Sequence, residues 1–179
     1  MTAQVLAAAH DARKAAEHLV DPEAPAHDRA RHLERRSKLL RDATAAYLKA
    51  LEGAPGCLGA WYGLGLCQRA LGDLVASLRA FDMVLRASAD GSLDGGEAPG
   101  AAWNARARSL IRVGRPVEAA ASFRVALACA RRPVYESNLA ILEAAVRAHA
   151  EALSERSDKA VAEGPWVTPP GVDRGAGKG

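Results

Sequence analysis

The chain has 179 residues, 49% hydrophobic and 4% aromatic, so one domain with a core built mainly of Ala, Leu and Val is expected, a composition suited to closely packed helices. A formal charge of +3 and a pI near 8.9 lack the polarity of a dedicated nucleic-acid binder. Cys57, Cys67 and Cys129 are odd in number and without C-x-x-C spacing, which argues against a disulfide framework or a zinc site and fits reduced thiols in a cytoplasm.

The N-terminus places no basic region ahead of its apolar run and carries charges by Asp11, Arg13 and Lys14, unlike a secretory signal. No stretch reaches the ~20 uncharged apolar residues of a membrane span, so a soluble, cytoplasmic protein is expected. Residues 3–20 read as an amphipathic helix with Thr2 as N-cap, because Val5, Ala9, Ala12, Ala16 and Leu19 recur at steps of three and four. Asp21-Pro22 ends it. After a break at 22–25, residues 28–52 contain neither Gly nor Pro and favour helix, either as one element or as two. Their basic run, Arg29, Arg31, Arg35, Arg36, Lys38 and Arg41 relieved by Glu34, reads as a solvated helix face, since no aromatic or amide base readers are interleaved.

Leu58 to Leu71 is expected as a helix, Gly72-Asp73 as turn and cap, and Leu74 to Ala87 as a second helix. Residues 88–99 break the pattern with Gly, Asp and Pro. An EF-hand begun at Asp90 needs Glu at 101 and finds Ala101, so this segment reads as a solvated loop rather than a calcium site. In 100–132, Gly114 closes one helix and Pro116 opens the next. A helix from Pro133 to about Glu163 follows. Five Gly and three Pro among the last sixteen residues predict a disordered tail at 164–179, with Trp166 either a short linear motif or an incidental aromatic.

The segment from 58 onward carries a spaced signature: Trp61-x-x-Leu64-Gly65, then Gly72, Ser77 and Phe81 at 11, 16 and 20 residues after the tryptophan. Trp103, Gly114, Ala119 and Phe123 return at the same spacings. This pattern resembles the tetratricopeptide repeat, a helix–turn–helix of about 34 residues that buries its apolar face only by stacking on neighbours. The resemblance implies an all-α, right-handed solenoid of about three units with N- and C-terminal capping helices. The expected division is an N-terminal helix at 1–23 and a repeat-like domain at 24–163. That domain comprises a degenerate repeat at 24–57, repeats at 58–91 and 100–132, and a capping helix at 133–163. In the degenerate unit, Ala43, Tyr47, Ala50 and Pro55 stand at repeat positions, His27 replaces the tryptophan, and Arg31 occupies the small-residue crossing slot. Its first half is also compatible with one long helix. Trp61 and Trp103 are expected as core aromatics, with Leu64, Gly65, Gly72, Phe81, Gly114, Ala119 and Phe123 completing the repeat core.

No nucleophile elbow, P-loop or H-E-x-x-H is present, and His10, His18, His27, His32 and His149 are scattered, so neither an enzyme nor a metal or other cofactor is expected. The resemblance implies a concave groove lined by first-helix residues: Tyr62, Leu66 and Arg69 from one unit, Asn104, Arg108, Ile111 and Arg112 from the next, then Ser137 and Ile141. Guanidinium forks suit carboxylates, so the expected partner is another protein presenting an acidic or C-terminal segment. The local carboxylates, Asp73 and Glu118, lie at helix starts, so the answering acid is expected from the partner. Residues 62–73, Tyr-Gly-Leu-Gly-Leu-Cys-Gln-Arg-Ala-Leu-Gly-Asp, also resemble the central repeat of cytoplasmic class II chaperones of type III secretion translocators. That likeness implies an extended segment of a secreted protein in the groove and self-association through the N-terminal region. A nucleic-acid accessory role using the 29–41 face is the remaining alternative.

Overall fold

The structure is a computed structural model that describes residues 2–19, 25–89 and 97–163. Among these residues it is all-helical, without a strand: α1 Thr2–Glu17, α2 Ala26–Gly53, α3 Leu58–Leu71, α4 Leu74–Ala89, α5 Glu97–Val113, α6 Pro116–Cys129 and α7 Pro133–Glu163. The expected break at Pro22, residues 90–96 of the insertion, and the tail with Trp166 lie outside the described residues. None of the described helices is long and apolar enough to cross a membrane.

Two hairpins follow the sequence closely. At the end of α3, Gly72 takes φ 92°, its N–H donates to the Arg69 carbonyl (3.1 Å), and the Asp73 N–H donates to the Gln68 carbonyl (2.9 Å). This six-to-one and five-to-two pairing satisfies the last carbonyls and needs a left-handed residue, which glycine adopts without steric cost. Asp73 then caps α4 by accepting from the Ala76 N–H (3.1 Å). Gly114 repeats the device at φ 80°, with bonds to the Ile111 and Leu110 carbonyls.

Three boundaries differ from expectation. Thr2 lies inside α1 rather than capping it, and α1 stops at Glu17 instead of near residue 20. Of the two arrangements open for residues 28–52, the chain takes the single helix, within the 28-residue α2, and Arg31 stands exposed on it. Finally, α5 begins at Glu97, inside the expected loop, with Pro99 in its first turn, where a missing N–H goes unneeded.

Residues Met1–Leu142 form one compact unit, and residues from Glu143 onward a second. In the first unit each helix from α1 to α6 packs on the next in chain order, and α3 also touches α1 and α5. One apolar cluster joins Ala9 and Ala16 of α1 to Leu40, Ala43 and Tyr47 of α2, Leu64 and Cys67 of α3, and Ala80 of α4. A second joins Ala107 and Leu110 of α5 to Ala119 and Phe123 of α6, with Leu139 and Leu142 at the start of α7. Buried Ser77 and Ser109 bridge α4 and α5 through their hydroxyls (3.0 Å). The apolar face of α1 is consumed within the chain, where the Tyr47 ring meets His10 edge-on and its hydroxyl lies 3.2 Å from His10 Nδ1.

The two tryptophans are less enclosed than the phenylalanines of the same signature. Phe81 and Phe123 are fully buried, but Trp61 and Trp103 are only half-buried. Trp61 leans on the first cluster while its Nε1 donates to the Pro55 carbonyl (2.8 Å), and Trp103 lies beneath the Arg106 guanidinium at 5.6 Å. An indole needs an outlet for its N–H, which a slot at the edge of the core supplies. In the second unit, every described residue from 144 to 157 is exposed.

Candidate functional site

Contact between α3 and both α1 and α5 places these three helices along one face of the first unit. On α3, Leu66, Arg69 and Ala70 share a side because they are three and four residues apart. Arg108 and Arg112 are one turn apart on α5. From α1 come Arg13, Ala16 and Glu17, and from α2 come Arg36 and Leu40. All ten line a single cavity of about 350 Å³. Five guanidiniums and one carboxylate therefore surround one small volume.

Two of the cations are braced by backbone carbonyls and one is paired with an acid. Arg69 Nη1 donates to the Ala105 carbonyl of α5 (3.2 Å), and Arg112 Nη1 returns to the Arg69 carbonyl at the end of α3 (2.5 Å). The second contact sets a cation against the negative end of a helix, a favourable placement. Arg13 pairs with Glu17 one turn on (2.5 Å). The Nε atoms of Arg13 and Arg36 are shielded from solvent and have no partner within the protein. Burial pushes the Arg69 guanidinium down to about 10, helped by repulsion from Arg108 and Arg112 and opposed by Tyr62 and Glu17. Burial likewise raises the Tyr62 phenol, against the pull of Arg69.

Of the groove residues expected from sequence, the cavity brings together Leu66, Arg69, Arg108 and Arg112. Tyr62 instead tilts against the Phe81 ring (5.9 Å between centroids). Asn104 accepts a hydrogen bond from Asn138 Nδ2 (2.9 Å). Ile111, Ser137 and Ile141 are exposed and lie outside the cavity lining. Arg13, Glu17 and Arg36 also line the cavity, although none stands among the expected groove residues. Within the basic run, Arg29, Arg31, Arg35, Lys38 and Arg41 are solvated as expected, whereas Arg36 turns inward. The signal for it lay in spacing: Arg36 precedes buried Leu40 by four residues and so shares its side of α2. Beside Asp73 and Glu118 at their helix starts, Glu17 is an acid of the chain that does line this cavity.

A larger cavity of about 420 Å³ lies among α2, α3 and α4, walled by Leu48, Trp61, Leu64 and Met83 with Gln68, Arg79, Asp82 and Arg86. Its acid is already answered, since Asp82 pairs with Arg106 (2.8 Å). Among the described residues no three His, Cys, Asp or Glu side chains converge as a metal site. Cys67 is buried, and burial pushes its thiol up to about 11, the opposite of an activated nucleophile. No protein-family profile and no curated protein sequence matches the chain.

Proposed function

We propose that this chain is a non-enzymatic binding module of the tetratricopeptide-repeat type, holding a segment of a partner protein on the face shared by α1, α3 and α5. The observation that carries the reading is the meeting of Leu66, Arg69, Arg108 and Arg112 in one cavity. The resemblance to the repeat implied a common surface for them. Arginines from successive helices, held apart by apolar positions, form a surface that grips an extended or helical segment through both stem and charge. An enzymatic reading lacks a nucleophile or an acid–base pair in this cavity. A nucleic-acid reading lacks an aromatic platform there, on which bases would stack.

The test is capture from the native cell extract by immobilised chain, wild type against the Arg69→Ala/Arg108→Ala pair. The pair is expected to keep its helicity and lose the captured protein. Undiminished capture by a folded pair overturns this assignment of the binding face.

A further inference from the structure

The cavity holds more cation than the chain answers. Glu17 is its single carboxylate, it stands on the rim with its side chain 57% exposed, and it engages one of the five guanidiniums, that of Arg13. Two Nε–H donors, on Arg13 and Arg36, are out of water and unanswered by protein. A buried donor without an acceptor is costly, and like charges gathered in a desolvated space repel. An incoming anion removes both costs together.

We infer that this pocket takes neighbouring carboxylates of an acidic partner segment, and that Glu17 is a built-in competitor which occupies Arg13 until that segment displaces it. The inference rests on the reading of this face as the partner surface and specifies the partner's chemistry. A peptide carboxylate fits better than a bare phosphate because the half-buried Leu66 and Ala70 stand beside the guanidiniums, over the buried Leu40 and Ala16. Side-chain methylenes of Glu lie on the apolar positions while each carboxylate meets a planar fork. Release of Glu17 exchanges one ion pair for another at Arg13, and Arg36, Arg69 and Arg108 supply the surplus attraction.

Fluorescence anisotropy with a labelled hexaglutamate peptide, and hexaglutamine as its neutral counterpart, tests this on the full chain. Hexaglutamate binds and hexaglutamine does not. Arg36→Gln weakens hexaglutamate about tenfold, and Glu17→Gln tightens it roughly threefold or more by removing the competitor. Arg79→Gln, at the other cavity, changes nothing, and added salt weakens binding throughout. Arg108→Gln, an exposed change that spares the core, repeats the Arg36 result should Arg36→Gln lose helicity.

Equal binding of both peptides, with partner capture still abolished by the Arg69→Ala/Arg108→Ala pair, overturns the inference and leaves the binding face standing. Unchanged capture by that pair overturns the binding face itself. Inorganic pyrophosphate that displaces hexaglutamate with the same dependence on Arg36 makes the pocket a small-oxyanion site instead. A short thymidine oligonucleotide that binds more tightly than hexaglutamate makes it a nucleic-acid contact. Glu17→Gln that leaves affinity unchanged or lower overturns the competitor role.

Discussion

Arg69 is held at a cost to the fold. Its charge is desolvated, and Arg108 and Arg112 stand near enough to depress its proton affinity. Replacing a poorly compensated buried charge by an apolar chain of similar length is often neutral or stabilising. Arg69→Met is therefore expected to raise stability by about 1 kcal/mol, seen as a melting temperature a few degrees higher, while weakening hexaglutamate binding. A lower melting temperature would mean that the bond to the Ala105 carbonyl outweighs the repulsion. Buried Cys67, Tyr47 and Tyr62 give a pH signature of definite sign. Each has its pKa raised by burial, Cys67 from 9.0 to about 11, so the folded chain keeps protons that the unfolded chain releases. Stability should be full below about pH 9 and fall from there toward pH 11 as Cys67 titrates in the unfolded chain, the tyrosines joining from about pH 10, as measured by urea midpoints, with Cys67→Ala removing most of the fall between pH 9 and pH 10. From about pH 10 upward Arg69 acts with the opposite sign, since burial holds its folded value near 10, below that of a free guanidinium.

The α3 helix is shaped by glycines with different duties. Gly72 has open space where a Cβ would stand but a positive φ, so Gly72→Ala meets only backbone strain, about 1 kcal/mol. At Gly63 a Cβ would fall 2.3 Å from the Tyr47 ring, and that ring is fully buried and joined to His10. Gly63→Ala must push α3 off α2 or displace Tyr47 from α1, and overpacking of this kind costs ~1–3 kcal/mol or more. Thermal melts of the two variants should rank Gly63→Ala as the more damaging. The reverse ranking would mean that the α2–α3 approach is looser than its geometry. Because Tyr47 also carries α1, Gly63→Ala should additionally disturb the Arg13 side of the pocket and reduce hexaglutamate binding.

For the molecule as a whole, the apolar clusters end at Leu142, and the described residues of α7 beyond it are exposed from 144 to 157. Truncation after Leu142 is expected to leave the melting temperature of the remaining chain unchanged within a few degrees, because no cluster side chain is removed. Loss of cooperative melting would show that the distal helix contributes burial. The two clusters share the bridge between Ser77 and Ser109 and the reach of Leu78 into the second cluster, so α1 to α6 should unfold as one transition rather than two.

Local chemistry was legible along the chain. Gly72-Asp73 and Gly114 specify their turns through backbone conformations that few other residues adopt, and Leu64, Phe81, Ala119 and Phe123 reach the core because their spacing follows the helical period. The resemblance to the tetratricopeptide repeat, rather than periodicity, implied Leu66, Arg69, Arg108 and Arg112 as a shared surface, and these four line one cavity. What folding alone revealed depends on contacts between segments distant in sequence. Whether residues 28–52 make one helix or two is settled by what packs on them, since no Gly or Pro interrupts them. The half-burial of Trp61 and Trp103 reflects how much room the neighbouring helices leave for an indole. Arg13, Glu17 and Arg36 belong to the pocket only because α1 docks through His10 and Ala16 and brings its charged side alongside α3. A repeat signature describes each unit's internal packing; the electrostatics of a cavity come from the helices that happen to close it.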